Sequence, residues 1–127
     1  MFQWPAYLAL ARELAPRTDE ASMRSAISRA YYAAYGVACD YVGSRRVYER
    51  QGRSLGPHEQ RWEVFSKDPG TAPQNLRSQI IKAAAELKRK RITADYEKHA
   101  SIKRADVEWA LEKADELISA IKQLPAL

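Results

Sequence analysis

Apolar residues recur at steps of three and four along most of this chain, and nowhere do they alternate over a useful length. Val107, Ala110, Leu111, Ala114, Leu117, Ile118, Ile121 and Leu124 trace one stripe of a 3.6-residue period, which predicts an amphipathic C-terminal helix. Leu76, Ile80, Ala84, Leu87 and Arg91 share one face of a helix before it, so that stripe ends on a charge. Met23, Ile27, Ala30, Ala34, Val37 and Tyr41 predict a longer helix, with Thr18 as its N-cap, Asp19 and Glu20 in its first turn and an end near Gly43. Pro5 followed by Leu8, Ala11 and Leu14 predicts a short first helix that stops before Pro16. Pro57 opens a helix carrying Trp62 and Phe65, and "KDPGTAP" breaks it. Residues 43–57 hold three glycines and a proline among arginines and read as a connecting loop, with one helical turn around Val47 and Tyr48. The expected fold is all-α: an antiparallel helical bundle of four to five helices, one domain over residues 1–127.

Composition narrows the function classes. With 127 residues, 46% of them hydrophobic, the chain can bury one continuous core. Its longest apolar runs fall short of the ~18–20 residues a membrane helix needs. The start "MFQWPAYLALARELAP" lacks the basic opening and small-residue cleavage site of a secretory signal, so a cytoplasmic protein is expected. The lone Cys39 sits at an apolar helix position, where a buried, inert thiol is expected. One Cys and two His leave no paired-ligand spacing for zinc. There is no HExxH, calcium loop, phosphate-cradling loop or nucleophile elbow either. No metal or cofactor is expected, nor is a hydrolase of the common serine, cysteine or zinc types.

Charge adds a partner class. The net charge is +5, and the basic residues cluster. Arg45, Arg46, Arg50, Arg53 and Arg61 crowd the middle of the chain, and Lys88, Arg89, Lys90 and Arg91 are consecutive. Such clusters suit RNA or a nucleotide, with Arg45, Arg46, Arg50, Arg53, Lys88, Arg89 and Lys90 as candidate contacts, or else they are solvated helix faces.

Two polar insertions fall on helices. Arg29 interrupts "SAISRAYYAAYGVACDY", and Arg91 stands one turn before Asp95 on the apolar stripe of "RITADY". A charge on a core-facing stripe is costly unless paired. Arg29, Arg91, Asp95 and Tyr96 are therefore expected to form a polar network, with Arg29 facing Asp95. That network either fixes helix register or lines a cleft for phosphate or base. Tyr31, Tyr32 and Tyr35 cannot all face one way, since consecutive helical positions differ by about 100°. One is expected in the core and another at a cleft or dimer interface. Trp62 and Trp109 read as packing anchors.

An ordered set of segments resembles a known family. "FQWPAYLALARELA", "MRSAISRAYYAAYGVACDYV", "GPHEQRWEVF" and "KRKRITADYEKH" follow one another as similar segments do in small bacterial HEPN-superfamily proteins. The resemblance implies a helical bundle, often a homodimer, in a superfamily associated with RNA or nucleotide binding. Many members act in toxin–antitoxin or defence modules, with an antitoxin or nucleotidyltransferase-like protein as partner, and some are metal-independent endoribonucleases. Active nucleases of that superfamily resemble one another in an Arg-x4-6-His motif, and here the chain departs. The spacing after Arg29 reaches Gly36, and after Arg91 the place where a His is expected is filled by "ADY", with His99 too far along. Arg53 and His58 match the spacing, but in a Gly/Pro-rich loop. The expected function is RNA or nucleotide association without strong catalysis. The rivals are an endoribonuclease using His58 with Arg29 or Arg91, and a helical protein-interaction module.

Overall fold

Every stretch of regular structure is helical among the described residues, 1–43, 56–67 and 73–125, of the computed structural model. The elements are α1 (Pro5–Leu14), α2 (Glu20–Val42), α3 (Pro57–Lys67), α4 (Gln74–Tyr96) and α5 (Arg104–Lys122). The helix turn expected at Val47 and Tyr48 lies outside the described residues.

Local chemistry sets the helix ends. α2 starts on Asp19, one residue after the expected Thr18. The Asp19 carboxylate accepts the Ser22 N–H at 2.9 Å, and hydrogen bonds from Ser22 hold it below the usual carboxylate range. The helix closes on Gly43 at φ 56°, where the Gly43 N–H reaches the Cys39 carbonyl at 2.8 Å. That positive φ suits glycine, the residue without a Cβ. Pro57 begins α3, where a missing N–H costs nothing. α4 carries no basic residue in its last turn and stops at Glu97.

The core gathers around α2, which packs against each of the other four helices. Ala26, Ile27, Ala30, Tyr31, Ala33, Ala34 and Ala38 are fully buried on one broad face, and buried Ser22, Ser28 and Gly36 carry the contact round most of the helix. Small side chains let four neighbours approach a single axis. The closest approach is at Gly36, where a Cβ would overlap the indole of Trp4. The stripes expected on α4 and α5 are the buried ones: Ile80, Ala84, Leu87 and Arg91 on α4, and Val107, Ala110, Ala114, Leu117, Ile118 and Ile121 on α5. Among the described residues no helix is long and apolar enough to cross a membrane.

Candidate functional site

Where α2, α3 and α4 meet, the apolar core gives way to tyrosines, a histidine and guanidinium groups. The α-helical period puts Tyr31, Tyr32 and Tyr35 along adjoining faces of α2, and they part company in exposure. Tyr31 is fully buried, whereas Tyr32 and Tyr35 are half-buried. His58, in the first turn of α3, lies against all three rings. Its imidazole stacks on Tyr35 with centroids 4.1 Å apart and planes 11° from parallel, and on Tyr31 at 5.7 Å and 16°. Its Nδ1 is 2.8 Å from the Tyr31 hydroxyl, and the same oxygen accepts the Trp62 Nε1–H at 3.1 Å.

The cations approach from α2 and α4. Arg91 is 6% exposed, and its guanidinium carbon lies 5.3 Å from the ring centroids of both Tyr31 and Tyr32 and 5.9 Å from that of Tyr96. Arg29 lies over the other side of this group, 4.7 Å from the Tyr7 centroid and 5.2 Å from that of Tyr32. Tyr32 thus has a guanidinium from each of two helices near its ring. The carboxylate that meets the group is Asp95, which is 3.6 Å from Arg91 Nη1 and accepts the Ser28 hydroxyl at 3.2 Å.

The pairing expected between Arg29 and Asp95 is corrected by this geometry. The carboxylate meets Arg91 and Ser28, while Arg29 faces tyrosine rings. The reason is angular: a step of one position turns a side chain by about 100°, so α2 aims Ser28 at α4 and Arg29 towards α1. Even so, Arg91 is incompletely satisfied. Its Nε is shielded from solvent and meets no acceptor among the described residues.

Electrostatics follow from this packing. Burial pushes the Tyr31 phenol far above its ordinary value, so it stays protonated. Tyr35 is pushed up to about 12 by burial and by its neighbour Cys39. His58 is held below its usual value by burial first, then by the positive charges of Lys88 and Arg91, so it is neutral at pH 7. Cys39 is partly exposed, not the buried thiol expected.

The remaining basic candidates separate by helix face. Lys88 and Arg89 line a groove of about 570 Å³ between α3 and α4 together with Glu59, Glu63 and Glu97, beside Trp62, Ile81 and Ala84. Lys90 turns away from it to Asp106 at 2.6 Å, over the Trp109 ring, and this bond holds the Asp106 carboxyl below its ordinary value. Lys90 is therefore tied into the α4–α5 contact, and the consecutive run does not act as one patch. Arg45, Arg46, Arg50 and Arg53 lie outside the described residues. His99 is exposed in the turn after α4.

Sequence reasoning missed Arg24. Its guanidinium reaches the main-chain carbonyls of Thr93, Ala94, Glu97 and Ala100 at 2.9 to 3.3 Å, capping the end of α4 from α2. It also missed the roles of Ser28, Tyr7 and the Trp62–Tyr31–His58 chain. None of these had a signal, because each partner is distant in sequence.

Among the described residues no group of three or more His, Cys, Asp or Glu could hold a metal ion. What the site offers is positive potential beside aromatic faces and one neutral imidazole. Comparison with protein-family models, curated proteins and solved structures finds no match for this chain.

Proposed function

We propose that this chain is a HEPN-like domain that binds the phosphates of RNA or a nucleotide at the α2–α3–α4 site, as a component of a bacterial toxin–antitoxin or defence module. The observation that carries the reading is the pair of guanidinium groups, Arg29 and Arg91, packed on tyrosine faces. Arg29 and Arg91 flank Tyr32, and Lys88 acts on His58 and Arg61 on Tyr35; Asp95 bonds to Arg91, and Glu59, Glu63 and Glu97 stand with Lys88 and Arg89 along the α3–α4 groove. Arg29 closes no ion pair among the described residues, and a half-buried cation without a counter-charge is costly. An arriving phosphate supplies the missing negative charge, and half-buried Tyr32 and Tyr35 can stack on bases. Arg91 is too deep to touch a ligand directly. It acts through the field it projects, while Arg29, His58 and Lys88 stand nearer the surface.

Binding is favoured over cleavage. Metal-independent RNA cleavage needs a base at the 2′-hydroxyl and a cation on the developing phosphorane. The cations are abundant, but the one imidazole at the site spends a nitrogen on Tyr31. A homodimer, as in the family this chain resembles, would bring two such sites together.

The test is fluorescence anisotropy with labelled single-stranded RNA and with a mononucleotide, in EDTA, across a salt series. Salt-sensitive RNA binding with no cleavage is expected. Absence of binding at low salt would defeat the assignment. Cleavage that survives EDTA and disappears in His58→Ala would replace it with the nuclease reading.

A further inference from the structure

We propose that Trp62 and Tyr31 lock His58 in the Nε2–H tautomer, so that its free edge donates a hydrogen bond to a phosphate oxygen of the ligand and cannot act as a general base. This rests on the phosphate-binding reading above and says how one residue of that site is used.

The argument is a count of protons. Trp62 Nε1 is a donor only, so the Tyr31 oxygen, 3.1 Å away, must accept from it. Tyr31 has a single proton of its own and is fully buried, out of reach of water. The remaining partner of that hydroxyl among the described residues is His58 Nδ1 at 2.8 Å. If Nδ1 carried a proton, two N–H groups would point at one phenol oxygen. The phenol's own proton would then be left without an acceptor inside the core, which folded proteins avoid. If Nδ1 is bare, every proton in the chain Trp62 to Tyr31 to His58 has an acceptor.

The imidazole is neutral, because burial and the charges of Lys88 and Arg91 oppose its protonation. A neutral ring with a bare Nδ1 carries its one proton on Nε2. Tyr35 stacked 4.1 Å from the ring holds its plane. His58 is half-buried, and its Nε2 has no hydrogen-bond partner among the described residues, which leaves that N–H for a ligand. A general base needs a free lone pair facing the hydroxyl it deprotonates. Here one nitrogen is engaged by Tyr31 and the other already holds a proton. Trp62 and Tyr31 are positioning residues, acting through His58.

Two measurements test this on the full chain. Long-range nitrogen–proton correlation spectra of histidine-labelled protein at about pH 7.5, where a histidine of ordinary pKa is neutral, should show a protonated Nε2 and a bare Nδ1 for His58. His99→Ala identifies the second set of signals. Tyr31→Phe should turn the single tautomer into a mixture. An Nδ1–H form, or a mixture in the wild type, overturns the proposal. The second measurement is binding of labelled oligouridylate at low salt. His58→Gln, whose amide N–H occupies the Nε2 position, should stay within about twofold of wild type, and His58→Ala should lose about tenfold. Equal losses in the two variants overturn the donor role. A wild type that binds no RNA defeats the phosphate-binding reading and with it the donor's ligand, while the spectra alone still decide the tautomer.

Discussion

The two sides of α2 use opposite chemistry to do the same job. Towards α1 the helix offers Gly36, bare enough for the Trp4 indole to lie against its backbone. Towards α3 and α4 it sends Arg24, Ser28 and Tyr31 to main-chain carbonyls, a carboxylate and an imidazole. The first contact is shape alone and tolerates no added atom. The second is directional, and each group there needs a partner. A fold that needed only stability could have filled both sides with aliphatic residues, which are often as stable as a buried polar network.

Breaking the polar side should have the larger effect. Arg91→Ala removes the ion pair to Asp95 and the cation from three tyrosine rings, and should destabilise by about 3 kcal/mol in chemical denaturation. The quarter-exposed Asp95 side chain keeps this near the lower end of the range for buried pairs. Asp95→Asn should be strongly non-additive with Arg91→Ala in a double-mutant cycle, and additive with Arg29→Ala. Additivity with Arg91→Ala would remove the pair from the account.

The apolar side sharpens the contrast through Gly36→Ala. Helix propensity alone would favour alanine by about 1 kcal/mol. The new Cβ falls on rigid ring atoms of Trp4, and overpacking of this kind costs ~1–3 kcal/mol or more. A net loss of about 2 kcal/mol is expected. In a Trp4→Ala background the same change should become neutral or stabilising. Loss in both backgrounds would mean the clash is not with Trp4.

The smallest effect is a pH dependence. His58 binds its proton less readily folded than unfolded, so the unfolded chain carries more protons as pH falls below about 6.5. The stability this neutral ring contributes is complete above that value and declines as pH drops towards the lower folded value. Asp19 and Asp106, both depressed, lose their contributions in a separate window, as pH falls below the ordinary carboxylate range. Thermal midpoints measured between about pH 5 and 7.5 should fall with pH in wild type and stay flatter in His58→Gln. Parallel curves would show that His58 is not perturbed.

These contrasts also mark what was legible in the sequence. α4 and α5 each bury one stripe, and a stripe is a one-dimensional signal, so Ile80, Leu87, Leu117 and Ile121 could be named in advance. α2 buries most of its circumference, so periodicity found the helix but missed Ala26, Ala33 and Ala38 as core. Arg91 and Asp95 were visible because their partnership is one helical turn. Arg29 was assigned to Asp95 one position out of phase, a slip that no pattern within α2 could reveal. Arg24 was invisible for a different reason. It binds main-chain carbonyls at the end of α4, and carbonyls leave no mark in a sequence beyond the missing basic residue in that last turn.

The central claim is that the guanidinium and tyrosine groups around Tyr32 bind phosphate, and Arg29 tests it most directly because it faces tyrosines rather than closing an ion pair. Arg29→Ala should be measured for thermal midpoint and for affinity towards labelled single-stranded RNA at low salt. The midpoint should fall by less than about 5 °C, as befits the loss of cation–π contacts. The affinity should fall by about tenfold, as befits the loss of a charged contact to phosphate. Unchanged affinity in a folded variant, or a collapse of the fold itself, would contradict the account and return this cluster to a structural role.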